Sequence, residues 1–145
     1  MTAVQEERRV DASRATLIVL GVLATAIGAF LTYERARGTL PPCPVGGGGC
    51  ATVQHSRYAE LAGIPVSAFG MLGGLALLGS VFVRPAWGAV ATFGIALAGA
   101  LFSAYLTSLE AFTIHAWCAW CVTSAVIWVL AATVAAVRLY RQTDP

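Results

Sequence analysis

The sequence predicts an all-α integral membrane protein: a bundle of four transmembrane helices with a short extracytoplasmic capping helix in the first loop. Three observations lead there. The 145 residues are 58% apolar and only 11% charged, whereas soluble domains carry about 25% charged residues. Four apolar runs, at 15–33, 64–83, 86–109 and 117–139, have the length of ~20 residues needed to cross a bilayer. A Pro- and Gly-rich stretch at 34–63 is the one segment long enough to form a sizeable loop. The expected organisation is a tail at 1–14, a membrane domain at 15–140 with its outer loop at 34–63, and a tail at 141–145. No room remains for a soluble catalytic domain, and a net charge of +2 from scattered arginines excludes a nucleic-acid surface.

Each element has its own signals. Residues 1–14 are polar and mixed in charge, which predicts a frayed tail, with Asp11 or Ser13 capping the first span. That span is too long for a signal-peptide core, and Glu34-Arg35-Ala36-Arg37 after it offers no small-x-small cleavage pattern. Gly21 and Gly28 share one face of it, where a second helix can come close. In the loop, Pro41, Pro42 and Pro44 stiffen the chain around Cys43, and Gly46 to Gly49 loosen it before Cys50. That contrast suits a thiol pair that closes as a disulfide and also swings apart; a static clip is the competing reading. Residues 51–61 read as a short interfacial helix with Tyr58 at headgroup level, ended by Gly63-Ile64-Pro65. Gly70 and Gly74 form a Gly-x-x-x-Gly contact pair in span two, Arg84-Pro85 turns the chain, and the linker holding His115 makes spans three and four antiparallel neighbours.

Arginine placement predicts the orientation. With the N-terminus inside, Arg8, Arg9, Arg14, Arg84, Arg138 and Arg141 are cytoplasmic, and Arg35, Arg37 and Arg57 are outside. The positive-inside rule then places both termini in the cytoplasm of a multi-pass inner or plasma membrane protein. With four spans, the first loop and the start of span four share a side, so Cys43, Cys50, Cys118 and Cys121 all face one compartment. An oxidising exterior makes thiol–disulfide chemistry possible there.

The chemistry-bearing motif is Cys118-Ala119-Trp120-Cys121 at the head of span four. On a helix, two cysteines three residues apart share a face, and the outer one lies at the helix N-terminus, which stabilises a thiolate. Cys121 lies ~4.5 Å deeper along the axis. The outer thiol can therefore exchange with other thiols, and the inner one can meet a lipid-soluble electron acceptor. A four-cysteine zinc site is the metal alternative; the loop has no compact fold for a metal to organise, and no metal is expected. For His55 and His115 proton transfer and simple solvation both remain open, and Glu110, at the outer end of span three, lies either beside the redox pair or in water.

The order Cys43, Cys50, Ser56-x-Tyr58, Gly63-Ile64-Pro65, Phe69-Gly70 and Cys118-x-x-Cys121 resembles the vitamin K epoxide reductase family, especially its bacterial branch. The resemblance implies a four-helix bundle around a quinone (ubiquinone or menaquinone). It implies a loop pair, Cys43 and Cys50, that takes electrons from a thioredoxin-like protein, and a pair, Cys118 and Cys121, that delivers them. Cys43 would face the partner, Cys50 would exchange with Cys118, and Cys121 would adjoin the quinone. Trp120, Phe69, Val66 and Ser56 are expected as contacts of the quinone, and Ser56 is also expected to bond locally and steady the loop helix. Animal members carry an asparagine where this chain places Val66 and a tyrosine where it has Ala125. Those departures point away from epoxide reduction and toward quinone reduction coupled to disulfide formation. The partner is expected to be a separate thioredoxin-like disulfide carrier. A non-enzymatic assembly or transport module with a structural loop disulfide is the alternative from another class.

Overall fold

A computed structural model of the chain describes residues 2–144. Helix α1 runs Ala3–Ala36. Residues 3–14 are thus helical rather than a frayed tail. Strong helix formers continue the span outward, and Thr2 rather than Asp11 or Ser13 caps it, its N–H donating to Gln5 Oε1 at 3.3 Å.

The buried stripe of α1 comprises Leu17, Gly21, Ala24, Gly28 and Leu31, at alternating spacings of three and four. Against it lies α3 (Val66–Val81). A Cβ on Gly28 would come within 2.8 Å of the Met71 Cα and the Ser67 carbonyl, and one on Gly21 within 2.9 Å of Leu78. The small-residue face predicted for α1 is therefore a true helix contact. In α3 the predicted glycine pair divides. A Cβ on Gly74 would meet the Thr25 nitrogen at 2.7 Å, while Gly70 has no neighbour within 4 Å. A Thr32–Ser67 hydroxyl contact of 2.9 Å ties the same two helices.

Helix α4 (Pro85–Leu109) begins with proline in its first turn and continues into a π-helical turn at Glu110–Ile114. Helix α5 (Ala119–Thr143) returns alongside it. Ser80 and Thr92, buried and 2.9 Å apart, join α3 to α4. Three helices are long and apolar enough to cross a membrane, and α3 is a shorter apolar helix. Together they make a four-helix membrane bundle.

The outer loop departs from one continuous helix over 51–61. Helix α2 (Gly49–His55) stops at Ser56, whose hydroxyl donates to the Val53 carbonyl at 2.7 Å while its backbone turns extended. A 3₁₀ turn follows at Arg57–Ala59. Strands β1 (Glu60–Leu61) and β2 (Ile64–Pro65) then pair antiparallel across Ala62 and Gly63, whose φ values of 54° and 79° are those of a tight hairpin turn. Arg35 of α1 pins both pieces, donating to the Gln54 carbonyl at 2.8 Å and to Glu60 at 3.1 Å.

Two buried clusters result. One runs through the middle of the bundle around Leu17, Leu77, Ala96, Trp128 and Ala131. The other contains Cys50, Val53 and Cys118, with Cys43 and Cys121 packed against them.

Candidate functional site

All four sulfurs gather at one end of the bundle, as the span count requires. Cys43 and Cys50 form a disulfide, with Cα atoms 5.7 Å apart. Positive φ values at Gly46 (72°) and Gly47 (77°) let the chain turn back between them. Cys43 is partly exposed, whereas Cys50, in the first turn of α2, is buried against Cys118. Gly49 makes this approach possible: a Cβ there would collide with the Trp117 carbonyl oxygen.

The second pair sits at a junction that sequence periodicity does not reveal. The π turn ends at His115, which adopts a left-handed φ of 56°, and the chain then runs extended into Cys118. Cys118 is thus the N-cap of α5 rather than a residue within it, and Cys121 lies in the first turn. The Cys118 N–H donates to Glu110 Oε2 at 3.0 Å, and the Glu110 backbone carbonyl accepts from Ala116 at 3.2 Å. Glu110 is 1% exposed. Cys118 and Cys121 are free thiols, and Cys118 is fully buried. A hydrogen bond from the Cys121 thiol, reinforced by the start of α5, lowers the Cys118 thiol to about 7.

Trp120 connects the two pairs. Its indole N–H donates to the Pro42 carbonyl at 2.9 Å, next to Cys43 in the chain. Its ring packs on Phe30 of α1 with centroids 5.3 Å apart. The loop disulfide is thereby latched onto the head of α5.

Beneath the sulfurs lies a cavity of about 360 Å³ between the helices. Cys121 is the one cysteine in its wall, and Trp120, Phe69, Val66 and Ser56 all line it. The floor is the ring of Trp128, which is buried at 4% exposure and seated over Gly73 and Gly99. The polar groups in the wall are few, among them Ser103, Ser124 and the Glu110 carboxyl. An apolar chamber of this size with a handful of polar groups is of the kind that takes a flat, largely apolar molecule. His55 and His115 are exposed and outside this wall. Tyr58 lines the cavity. Glu110, Ser103, Ser124 and Trp128 were not singled out as cavity residues by the sequence. Glu110 had one signal, a lone acid at the end of an apolar run.

A model of the vitamin K epoxide reductase family matches residues 15–136. Thiol-disulfide oxidoreductase LTO1 of Arabidopsis thaliana is 36% identical over 87 residues, a stretch covering 53% of this chain and 23% of that protein. The chain thus spans about a quarter of the length of this curated relative.

Proposed function

The chain belongs to the vitamin K epoxide reductase family, and we propose that it is a membrane thiol:disulfide oxidoreductase that oxidises an extracytoplasmic thioredoxin-like protein and passes the electrons to a quinone. The observation that carries this reading is the division of the sulfurs: Cys43 partly exposed, Cys50 and Cys118 buried together, and Cys121 in the cavity wall.

A thiolate of the reduced partner attacks Cys43, and Cys50 leaves as the thiolate. The partner's second thiol resolves the mixed disulfide, so the partner is oxidised and the loop pair is reduced. Cys50 then attacks Cys118 of a Cys118–Cys121 disulfide and Cys121 leaves. Cys43 resolves that bond, closing the loop disulfide and leaving Cys118 and Cys121 as thiols. The arrangement described above, with the loop pair closed and the deeper pair free, corresponds to this state.

Quinone fits the chamber by size and by its aromatic and aliphatic lining, and when bound it supplies an acceptor for two electrons and two protons. Trp120 and Phe69 would flank its ring, Val66 would give an apolar contact and Ser56 a polar edge. Glu110 would receive the Cys121 proton, being the carboxyl that shares the cavity wall with that thiol. Val66 gives no hydrogen bond to an epoxide oxygen, so the reading is quinone rather than epoxide reduction. The arginine distribution supports cytoplasmic termini and an extracytoplasmic cysteine end.

Cys118→Ser and Cys121→Ser should each abolish quinol formation from a reduced thioredoxin-like donor; normal turnover in either variant sinks the relay. Cys50→Ser leaves Cys43 without its resolving partner, so a Cys43 mixed disulfide should accumulate in cells and identify the donor.

A further inference from the structure

At the far end of the bundle from the cysteines, the buried stripe of α5 ends in Arg138, and the exposed Arg14 stands one turn beyond the buried stripe of α1. Along α1 the stripe runs Leu31, Gly28, Ala24, Gly21 and Leu17, with Arg14 beyond it; along α5 it runs Ile127, Ala131, Ala135 and then Arg138. Arg138 is only 9% exposed, and its Nε and Nη1 have no hydrogen-bond partner. Leu17 and Ala135, one turn inward of Arg14 and Arg138, pack in the same buried cluster, which brings the two arginines to one level of the bundle. Arg14 itself is held over the Phe82 ring, 5.3 Å from its centroid, at the end of α3. Among the described residues the one salt bridge is Arg35–Glu60, at the opposite end. From Ala119 to Arg138 the helix rises about 28 Å, which matches the ~30 Å thickness of the hydrocarbon core. Arg138 therefore stands at the level of lipid phosphates on the side away from the cysteines.

A buried guanidinium without an acceptor is costly, and a second one beside it adds repulsion. A lone arginine relieves this by extending into the headgroups, where it is exposed. Arg138 instead remains buried between helices, with two nitrogens unpaired. We propose that Arg138 and Arg14 form an interhelical site for a phosphate group, carried by an anionic phospholipid or present as the free ion. The Arg138 guanidinium would donate to phosphate oxygens, and Arg14, held over Phe82, would neutralise the remaining charge.

The test is thermal unfolding of the full chain, delipidated in a non-ionic detergent, with phosphatidylglycerol, phosphatidylcholine or inorganic phosphate added. Phosphatidylglycerol should raise Tm by about 5 °C at saturation, and phosphatidylcholine should not. Arg138→Met and Arg14→Gln should each lose most of that shift, while Arg8→Gln and Arg141→Gln should keep it. A matching shift with inorganic phosphate identifies the free ion as occupant; a shift with phosphatidylglycerol alone identifies the lipid. Should Arg138→Met not be recovered folded, Arg14→Gln, an exposed position, decides. Equal shifts with both lipids, no shift with any addition, or equal loss across all four variants overturns the site.

Discussion

Trp120 joins the head of α5 to the loop disulfide, and Trp120→Phe removes that link while keeping a ring. The indole N–H to Pro42 carbonyl bond of 2.9 Å is lost, and contact with Phe30 is largely kept. A neutral hydrogen bond contributes a net ~0.5–1.5 kcal/mol. The Pro42 bond is at the surface, where water can replace it, so the lower part of that range, about 0.5–1 kcal/mol, applies. The open population of the loop should then rise about two- to fivefold. Cys118 is fully covered when the loop is docked, so alkylation of its thiol reports that opening. In a Cys43→Ser/Cys50→Ser background, the rate of Cys118 alkylation, read by mass spectrometry, should increase two- to fivefold on Trp120→Phe. Trp120→Ala also loses the aromatic contact, worth about 0.5–1.5 kcal/mol, and should increase it further. Turnover with a protein donor should move the opposite way, because Cys50 meets Cys118 only in the docked loop. An unchanged or slower alkylation rate in Trp120→Phe would refute the latch.

Three further outcomes follow from the same geometry. Gly49→Ala places a methyl on the Trp117 carbonyl; forced shifts of this kind cost about 1–3 kcal/mol, so donor-driven quinol formation should fall by about five- to 150-fold while the Cys43–Cys50 disulfide still forms, as measured by gel shift. Glu110→Gln keeps an acceptor for the Cys118 N–H but cannot take a proton, so single-turnover quinone reduction should slow about 100-fold or more, whereas reduction of the loop disulfide by the partner should be unchanged. Because the Cys118 thiol is lowered to about 7, its alkylation in the loop-serine background should rise with pH below that value, as thiolate replaces thiol, and level off above it. A rise continuing to about 8.5 would indicate an ordinary thiol.

The membrane bundle was legible because hydrophobicity and span length are properties of contiguous residues, and four such runs force the first loop and the head of span four onto one side. The close faces at Gly21 and Gly28 were legible for the same reason, since helical period converts spacing into a shared face. Family-like spacing singled out Val66, Phe69, Ser56 and Trp120 as cofactor contacts, and all four line one chamber. Their shared enclosure depends on four helices packing together, which no single stretch encodes. Tertiary structure alone decided that Gly70 faces the cavity while Gly74 meets α1, because both lie on the same kind of apolar helix and differ only in what stands opposite. The loop helix ended early because Ser56 bonded back to Val53 and Arg35, distant in sequence, took up the Gln54 carbonyl. Periodicity likewise gave no warning of the π turn, which brings the Glu110 carboxyl to the Cys118 N–H across eight residues of chain. Sequence thus determined that the apolar runs build a membrane bundle and that the four thiols meet at one end of it. The order of the sulfurs, the chamber beneath Cys121 and the unpaired Arg138 depended on contacts between helices, where distance along the chain carries no information about distance in space.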